Sequence, residues 1–473
     1  MKKTTYLLKN MGLLTISNFA SRLLSFFLVP LYTSVLTTEQ YGTYDIFNTT
    51  IGLLVPLLSI NIFDAVLRFL LDKNINKKYI IRFGAKVTFL GMLIVSAFVL
   101  LNSVFTISPL LNNYGILFIL MFSTNALNQL TSYIARGLDK ISDVAIAGVI
   151  ATVVSIACNI VFLLVFKWGL TGYFLATILS QGLTAIYFVF KLKLWDCLIK
   201  SDNNNENDLR KEMIKYSLPM MLNAIGWWIN NLSDRYIVTW MCGLNTNGIY
   251  SVGYKIPSIL SVFVSIFNQA WTLSAVKEFD PEDKSGFFLK TYNMYNCFIT
   301  ILCSLLICTA KILAGLLYAK DFYVAWVYVP FLTMASMFGA ISGYFGGVFA
   351  ACKDTKIFGR STLIGALINT VLNLALVVNF DAMGAAIATV ISYFAVWIIR
   401  IRAVKRYIRF DLNIKRDLLG YVIMILQFLA LLFIDESYIT CGFLVASFVI
   451  IILLFKNELS VLVYEFKKII RKE

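Results

Sequence analysis

The chain predicts an all-α integral membrane protein of about 14 transmembrane helices: two parallel six-helix lobes, then two extra C-terminal helices. Three observations carry this. Of 473 residues, 59% are hydrophobic and 14% charged, too little polar surface for a water-soluble globule of this length. The apolar residues gather into stretches of about 20, enough to cross the hydrocarbon core as a helix. Lys and Arg collect in every second hydrophilic break, and because short basic loops resist translocation, that set of breaks faces the cytoplasm.

The apolar stretches fall at about 11 to 36, 43 to 66, 83 to 106, 114 to 135, 144 to 166, 170 to 190, 213 to 241, 247 to 272, 291 to 318, 323 to 350, 357 to 379, 383 to 403, 416 to 434 and 439 to 455. The basic set comprises both termini and the breaks after segments 2, 4, 6, 8, 10 and 12. Of the 41 Lys and Arg, Lys167 and Lys320 fall in the opposite set, and Arg22, Arg235, Lys255 and Lys311 sit within apolar segments. Both termini are therefore expected in the cytoplasm. Segment 1 lacks a small-residue cleavage site and carries Arg22 near its middle, so it reads as an uncleaved helix. The net charge of +15 lies in membrane-flanking loops, where anionic phospholipid is the expected partner and nucleic acid is not. With no histidine and no CxxC spacing among eight cysteines, neither a metal site nor a disulfide framework is expected.

A charge at membrane depth costs several kcal/mol, so each demands a partner or a wet cavity. In segment 1, Asn18, Arg22 and Ser25 share a helical face, and Arg22 reads either as a structural ion-pair member or as a substrate-facing cation. Segment 2 carries Asp45, Asn48, Thr49, Gly52, Pro56 and Ser59. At its cytoplasmic end Asp64 and Arg68 are spaced for an i,i+4 ion pair, structural or gating. In segment 4, Asn125, Gln129, Ser132 and Arg136 form a stripe whose Arg136 is expected to snorkel.

Segment 7 has the longest polar stripe: Asn223, Trp227, Asn230 or Asn231, and Asp234. Asp234 is either a proton or cation site or a counter-ion for Arg235 or Lys255. Segment 8 adds Tyr250, Tyr254, Ser258, Ser261, Ser265 and Asn268/Gln269, beside Lys255 and Pro257. Pro30, Pro56 and Pro257 remove backbone hydrogen bonds and permit bending. Two lobes meeting along segments 1, 2, 7 and 8 would enclose a hydrophilic cavity.

The polar run SDNNNENDLRKE, within Trp195 to Lys215, cannot support a core and reads as a linker. The domains expected are an N-lobe (1–195), a cytoplasmic linker (196–212), a C-lobe (213–406), and helices 13 and 14 with a cytoplasmic tail (407–473). Sequence matches keep the same order in both halves. TTEQYGTYDIF and LNTNGIYSVGYKI align Gly42 and Tyr44 with Gly248 and Tyr250. GLTGYFLATILS and DAMGAAIATVISY align Gly172, Ala176, Thr177 and Ser180 with Gly384, Ala388, Thr389 and Ser392, with Asn159 and Asn373 upstream. Each repeat has an even number of helices, so the halves are parallel.

The doubled six-helix lobe, the junction LTTEQYGTYDIF, the ending DAVLRF of segment 2 and the repeated Gly-x-x-x-Ala-Thr start of segments 6 and 12 resemble the polysaccharide repeat-unit flippases (Wzx type). These belong to the multidrug/oligosaccharidyl-lipid/polysaccharide exporter superfamily. The resemblance implies a V-shaped pair of lobes around a cationic cavity. Through it an undecaprenyl-pyrophosphate-linked oligosaccharide, an O-antigen (lipopolysaccharide) or capsule unit, crosses from the cytoplasmic to the outer face of a bacterial inner membrane, driven by ion exchange. It further implies work alongside a polysaccharide polymerase and chain-length machinery, without a cofactor. Arg22, Arg235 and Lys255, with Asn18, Asn223, Asn230, Tyr250 and Tyr254, are then the expected substrate-facing residues. Asp234, Asp45, Asp64 and Arg68 are the expected coupling or gate residues.

Three other functions compete. Flippases of peptidoglycan or teichoic acid precursors share the superfamily. A drug/cation antiporter usually has twelve helices and a cavity with more acid than base. A membrane polymerase or ligase generally needs a substantial outer loop, whereas every outer break here is about fifteen residues or shorter, and a non-enzymatic reading follows.

Overall fold

The computed structural model describes residues 26–72, 76–198, 206–352, 354, 356–409, 411–434 and 437–470. They are helical almost throughout, with no strand among the described residues. The chain divides into two compact units, Met1–Tyr236 and Ile237–Glu473.

The first unit contains α1 (Val29–Val35), α2 (Thr38–Leu58), α3 (Ile62–Leu70), α4 (Lys77–Phe105), α5 (Pro109–Gly137), α6 (Ile141–Asn159), α7 (Gly169–Lys191), the single turn α8 (Trp195–Leu198) and the start of α9 (Glu206–Gly253). Thr37 and Gln40 open α2 as a reciprocal capping box, each side chain taking the other's backbone N–H at 3.2 Å. Four and five residues after Pro56, Ile60 and Asn61 take positive φ and the chain bends by 58° into α3, the bend expected near that proline. α6 continues as a widened π-turn, Ile160–Val165. α9 starts at Glu206, so the charged end of the expected linker is helical.

The second unit holds the end of α9, α10 (Ser258–Lys277), α11 (Phe287–Cys308), α12 (Ala310–Leu317), α13 (Val329–Ala351), α14 (Lys356–Val404), α15 (Ile414–Phe433), α16 (Ser437–Leu454) and α17 (Lys456–Ile470). α13 sits at its centre, against α10, α11 and α14, and buries Leu332, Tyr344, Phe345 and Phe349 completely.

Among the described residues nine helices are long and apolar enough to cross a membrane, and up to eleven spans result when two bent helix pairs each count as one. Segment 1 lies largely outside the described residues. Segment 7 and the start of segment 8 are continuous in α9, broken at Gly243, where φ is 88°, and the rest of segment 8 is α10. Segments 11 and 12 are likewise the two halves of the 49-residue α14, which breaks at Asp381. An unbroken helix of that length would be about 74 Å long, more than twice the hydrocarbon core.

The repeat-related residues do matching work inside each unit. A Cβ on Gly172 would lie 3.2 Å from the carbonyl oxygen of Phe162, and one on Gly384 would lie 2.4 Å from that of Leu376. Each glycine therefore lets its helix press on the backbone that precedes it. Asn159 donates to the Ser155 carbonyl at 2.7 Å, and Asn373 to that of Asn369 at 2.9 Å, so each closes the same i−4 bond.

Of the two added C-terminal helices, α15 is fastened by polar bonds to α11 on one side and to α16 on the other. Tyr292 donates to Asp417 at 3.2 Å, Tyr421 to Asn296 at 2.9 Å, and Gln427 to Ser304 at 2.9 Å and to Ser447 at 3.1 Å. Arg416 joins this seam through Asp417, Asn293 and Glu458. In a bilayer no water competes for such groups, so they fix register where apolar packing alone would not.

Candidate functional site, a polar seam between α2 and α9

Within the first unit, side chains bridge α2 and the first part of α9. Their contact is polar because segments 2 and 7 carry facing stripes of hydroxyl, amide and charged residues. Trp228 donates its indole N–H to the Thr49 carbonyl at 2.8 Å, and Gly52 leaves room for that ring, 3.7 Å from where a Cβ would lie. Thr50 and Tyr236 share a hydroxyl–hydroxyl bond. One turn earlier on α2, Asp45 Oδ1 accepts from Arg235 Nη1 at 2.6 Å. The two side chains are 10% and 14% exposed, so the pair is largely withdrawn from solvent. Asp45 lies about two turns into α2.

Behind the seam stands a cluster of tyrosines. Tyr173 of α7 stacks on Tyr44 with ring centroids 3.8 Å apart and on Tyr32 at 4.4 Å, and Tyr44 shares a hydrogen bond with Thr177 at 2.9 Å. Tyr41, one turn before Asp45, also stacks on Tyr173. These rings hold α2 against α7 and so fix the height at which Asp45 is presented.

The structure thus joins two residues singled out separately. The carboxylate on Arg235 is Asp45 of another helix. Neighbouring Asp234 is buried, and its Oδ1 accepts the backbone N–H of Arg235 at 2.9 Å. Asp64 and Arg68 do not form the expected i,i+4 pair: Asp64 accepts from Asn61 at 2.6 Å, and Arg68 reaches Asp72 at 2.8 Å. The left-handed backbone at Asn61 aims its amide at Asp64, while Asp72 is free to meet Arg68 at the exposed helix end.

Asn223 is exposed and Asn230 buried. Arg22 and Asn18 lie outside the described residues. Tyr250 belongs to the second unit's core with Val238, Leu332, Ala385 and Ala386. It is fully buried there, a packing role in place of the expected substrate-facing one. Tyr254 is half-buried, its hydroxyl 3.3 Å from that of Tyr250. Lys255 is half-buried in the turn before α10, where its carbonyl accepts from Ser258 at 2.6 Å. Lys311 stacks over Trp326 at 4.4 Å.

Arg400 escaped the sequence reading because it looked like one more cytoplasmic-end cation. It is 5% exposed and donates to Ser361, the Ser342 carbonyl and Thr362 at 2.9, 3.0 and 2.8 Å, over the Phe358 ring. Its partners are all neutral, and it ties both halves of α14 to α13.

Residues 7–272 match the family described as polysaccharide biosynthesis protein. The chain belongs to that family. The solved structures it resembles share its fold at low identity. The lipid II flippase MurJ, in an inward closed conformation, matches with a TM-score of 0.68 at 16% identity, over 96% of this chain and 99% of that one. An inward-facing multidrug resistance MATE transporter of the MOP superfamily matches at 0.61 and 16%, over 83% and 95%. A MOP superfamily transporter from Pyrococcus furiosus, described as having a binding pocket of reverse polarity, matches at 0.57 and 14%, over 84% and 96%. An uncharacterised membrane protein of Methanocaldococcus jannaschii is 24% identical over 275 residues, 56% of this chain. The match spans about half, 54%, of that relative's length. This family member is accordingly a multi-pass membrane protein with the fold of the MOP exporters.

Proposed function

We propose that the protein is a Wzx-type flippase. It moves undecaprenyl-pyrophosphate-linked oligosaccharide units of an O-antigen or capsule from the cytoplasmic to the outer face of a bacterial plasma membrane, with both termini cytoplasmic. The observation that carries this is membership of a polysaccharide-biosynthesis family on a transporter fold. Such a fold suits the pathway's membrane-crossing step. The sequence supports the orientation through its alternating basic breaks.

The substrate-facing residues we propose are Arg235, Lys255, Asn223, Asn230 and Tyr254, with Arg22 and Asn18. Asp234 and Asp45 carry coupling, and Asp64 and Arg68 sit at a gate. A guanidinium or ammonium suits a pyrophosphate or acidic sugar. A polymerase and chain-length machinery would take the unit on the outer face.

A second reading, a peptidoglycan-precursor flippase, is favoured by the likeness to the lipid II flippase. One experiment separates them: delete the protein, then measure surface polysaccharide and the sidedness of lipid-linked units. Loss of surface glycan with complete repeat units trapped on the cytoplasmic face is expected. Units that reach the outer face and stay unpolymerised refute the flippase reading. Lipid II trapped on the cytoplasmic face with surface glycan intact puts the second reading first.

A further inference from the structure

The Asp45–Arg235 pair is more than the seam needs to hold together. Two neutral bonds, Trp228 to the Thr49 carbonyl and Thr50 with Tyr236, already join α2 to α9 beside it. A buried ion pair adds little over a well-packed apolar substitute, because both charges lose their hydration. Ionisable groups at membrane depth mark function by default. The pair is not sealed either, since both side chains keep a tenth or more of their exposure. A guanidinium is a planar fork of five donors that matches phosphate oxygens two at a time.

We propose that Asp45 is a stand-in for the substrate's anionic group. It occupies Arg235 in the empty protein, and an entering pyrophosphate, carrying more charge than one carboxylate, displaces it. This rests on the reading of the protein as a carrier of pyrophosphate-linked lipid. No bond forms or breaks; one anion replaces another on the same cation. An internal competitor lowers apparent affinity by the fraction of time it leaves the cation available. Asp45 occupying Arg235 for about nine-tenths of the time would weaken binding about tenfold. Specificity follows too: a neutral lipid cannot displace the carboxylate, so it cannot separate Asp45 from Arg235.

The test is binding to purified full-length protein in phosphatidylcholine nanodiscs, with inorganic pyrophosphate and undecaprenyl pyrophosphate as separate probes. The proteins are wild type, Asp45→Asn, Arg235→Gln and the double variant. Asp45→Ser replaces Asp45→Asn if the latter is recovered in poor yield. The expected result is about tenfold tighter binding in Asp45→Asn, with no such gain when Arg235→Gln is also present. Unchanged or weaker binding in Asp45→Asn overturns the proposal, as does a gain that persists without Arg235. If inorganic pyrophosphate follows the expected pattern while the lipid binds no variant, the exchange stands and the lipid-carrier reading falls. If the lipid binds wild type and Asp45→Asn equally, the exchange falls and the carrier reading stands.

Discussion

Adding one methyl group at Gly384 separates two opposing effects whose sizes the structure supplies. Gly384 is helical, and alanine in a helix is favoured over glycine by about 1 kcal/mol. The new Cβ, however, would lie 2.4 Å from the carbonyl carbon and oxygen of Leu376 and 2.7 Å from the nitrogen of Val377. Unstrained contacts lie near 3.5–4.0 Å, so the two halves of α14 must part by about 1 Å. The obstructing atoms are backbone and cannot rotate away. Overpacking of this kind costs about 1–3 kcal/mol, more than the helical gain returns. At the repeat-related Gly172 the nearest atom is the Phe162 Cβ at 3.0 Å, with the carbonyl oxygen at 3.2 Å, and a shift of a few tenths of an ångström suffices. Gly384→Ala should therefore lower the apparent melting temperature by a few degrees, and Gly172→Ala should leave it nearly unchanged. The assay is a detergent-solubilised melt followed by size-exclusion fluorescence at one fixed heating rate, because such unfolding is irreversible. Gly384→Ala melting at or above wild type would refute the close contact between the halves of α14.

Other perturbations read different parts of the molecule. Arg235→Ala removes the ion-pair partner of Asp45 in a largely buried place and should cost about 3 kcal/mol or more, whereas Asp45→Asn with Arg235→Gln should stay within about 1 kcal/mol of wild type in the same melt; equal losses would show the charges to be immaterial. Arg400→Lys cannot reproduce a fork that reaches Ser361, Ser342 and Thr362 together, and a loss of about 1–3 kcal/mol is expected. Gln427→Leu removes the partner of Ser304 and Ser447; it should cost about 0.6–1.7 kcal/mol and raise proteolytic release of α15 and α16. Asp280, in the loop before α11, has its carboxyl held below the usual carboxylate range by the backbone N–H groups of Lys284 and Glu282. A depressed folded pKa means that the loop's stabilisation is complete above about pH 4 and lost as pH falls through the lower folded value. Amide-exchange protection at Glu282 and Lys284 should fall on acidification in wild type and be low at every pH in Asp280→Asn.

The amino-acid sequence by itself determined that this is an all-helical membrane protein with a doubled architecture. Spanning length, basic-loop alternation and repeated glycines are local or periodic signals that survive without coordinates. It also singled out Asp45 and Arg235, because a charge at membrane depth stands out against apolar neighbours. Which charge meets which was a tertiary decision. Asp45 and Arg235 are 190 residues apart, whereas adjacent Asp234 and i,i+4 Asp64 and Arg68 were the partners that sequence spacing suggested. Helix packing brought Asp45 to Arg235, while the local backbone at Asn61 and the nearby Asp72 drew Asp64 and Arg68 to other partners in the same segment. The same holds for Tyr250, whose polar hydroxyl suggested a cavity wall until the fold enclosed it in core. Arg400 was hidden for the opposite reason: at the basic end of an apolar segment a cation is ordinary. Only the approach of Ser342, Phe358, Ser361 and Thr362 from elsewhere in the chain turns it into a buried tie. Charge and length are carried by residues one at a time, while partnership depends on which helices the fold sets side by side.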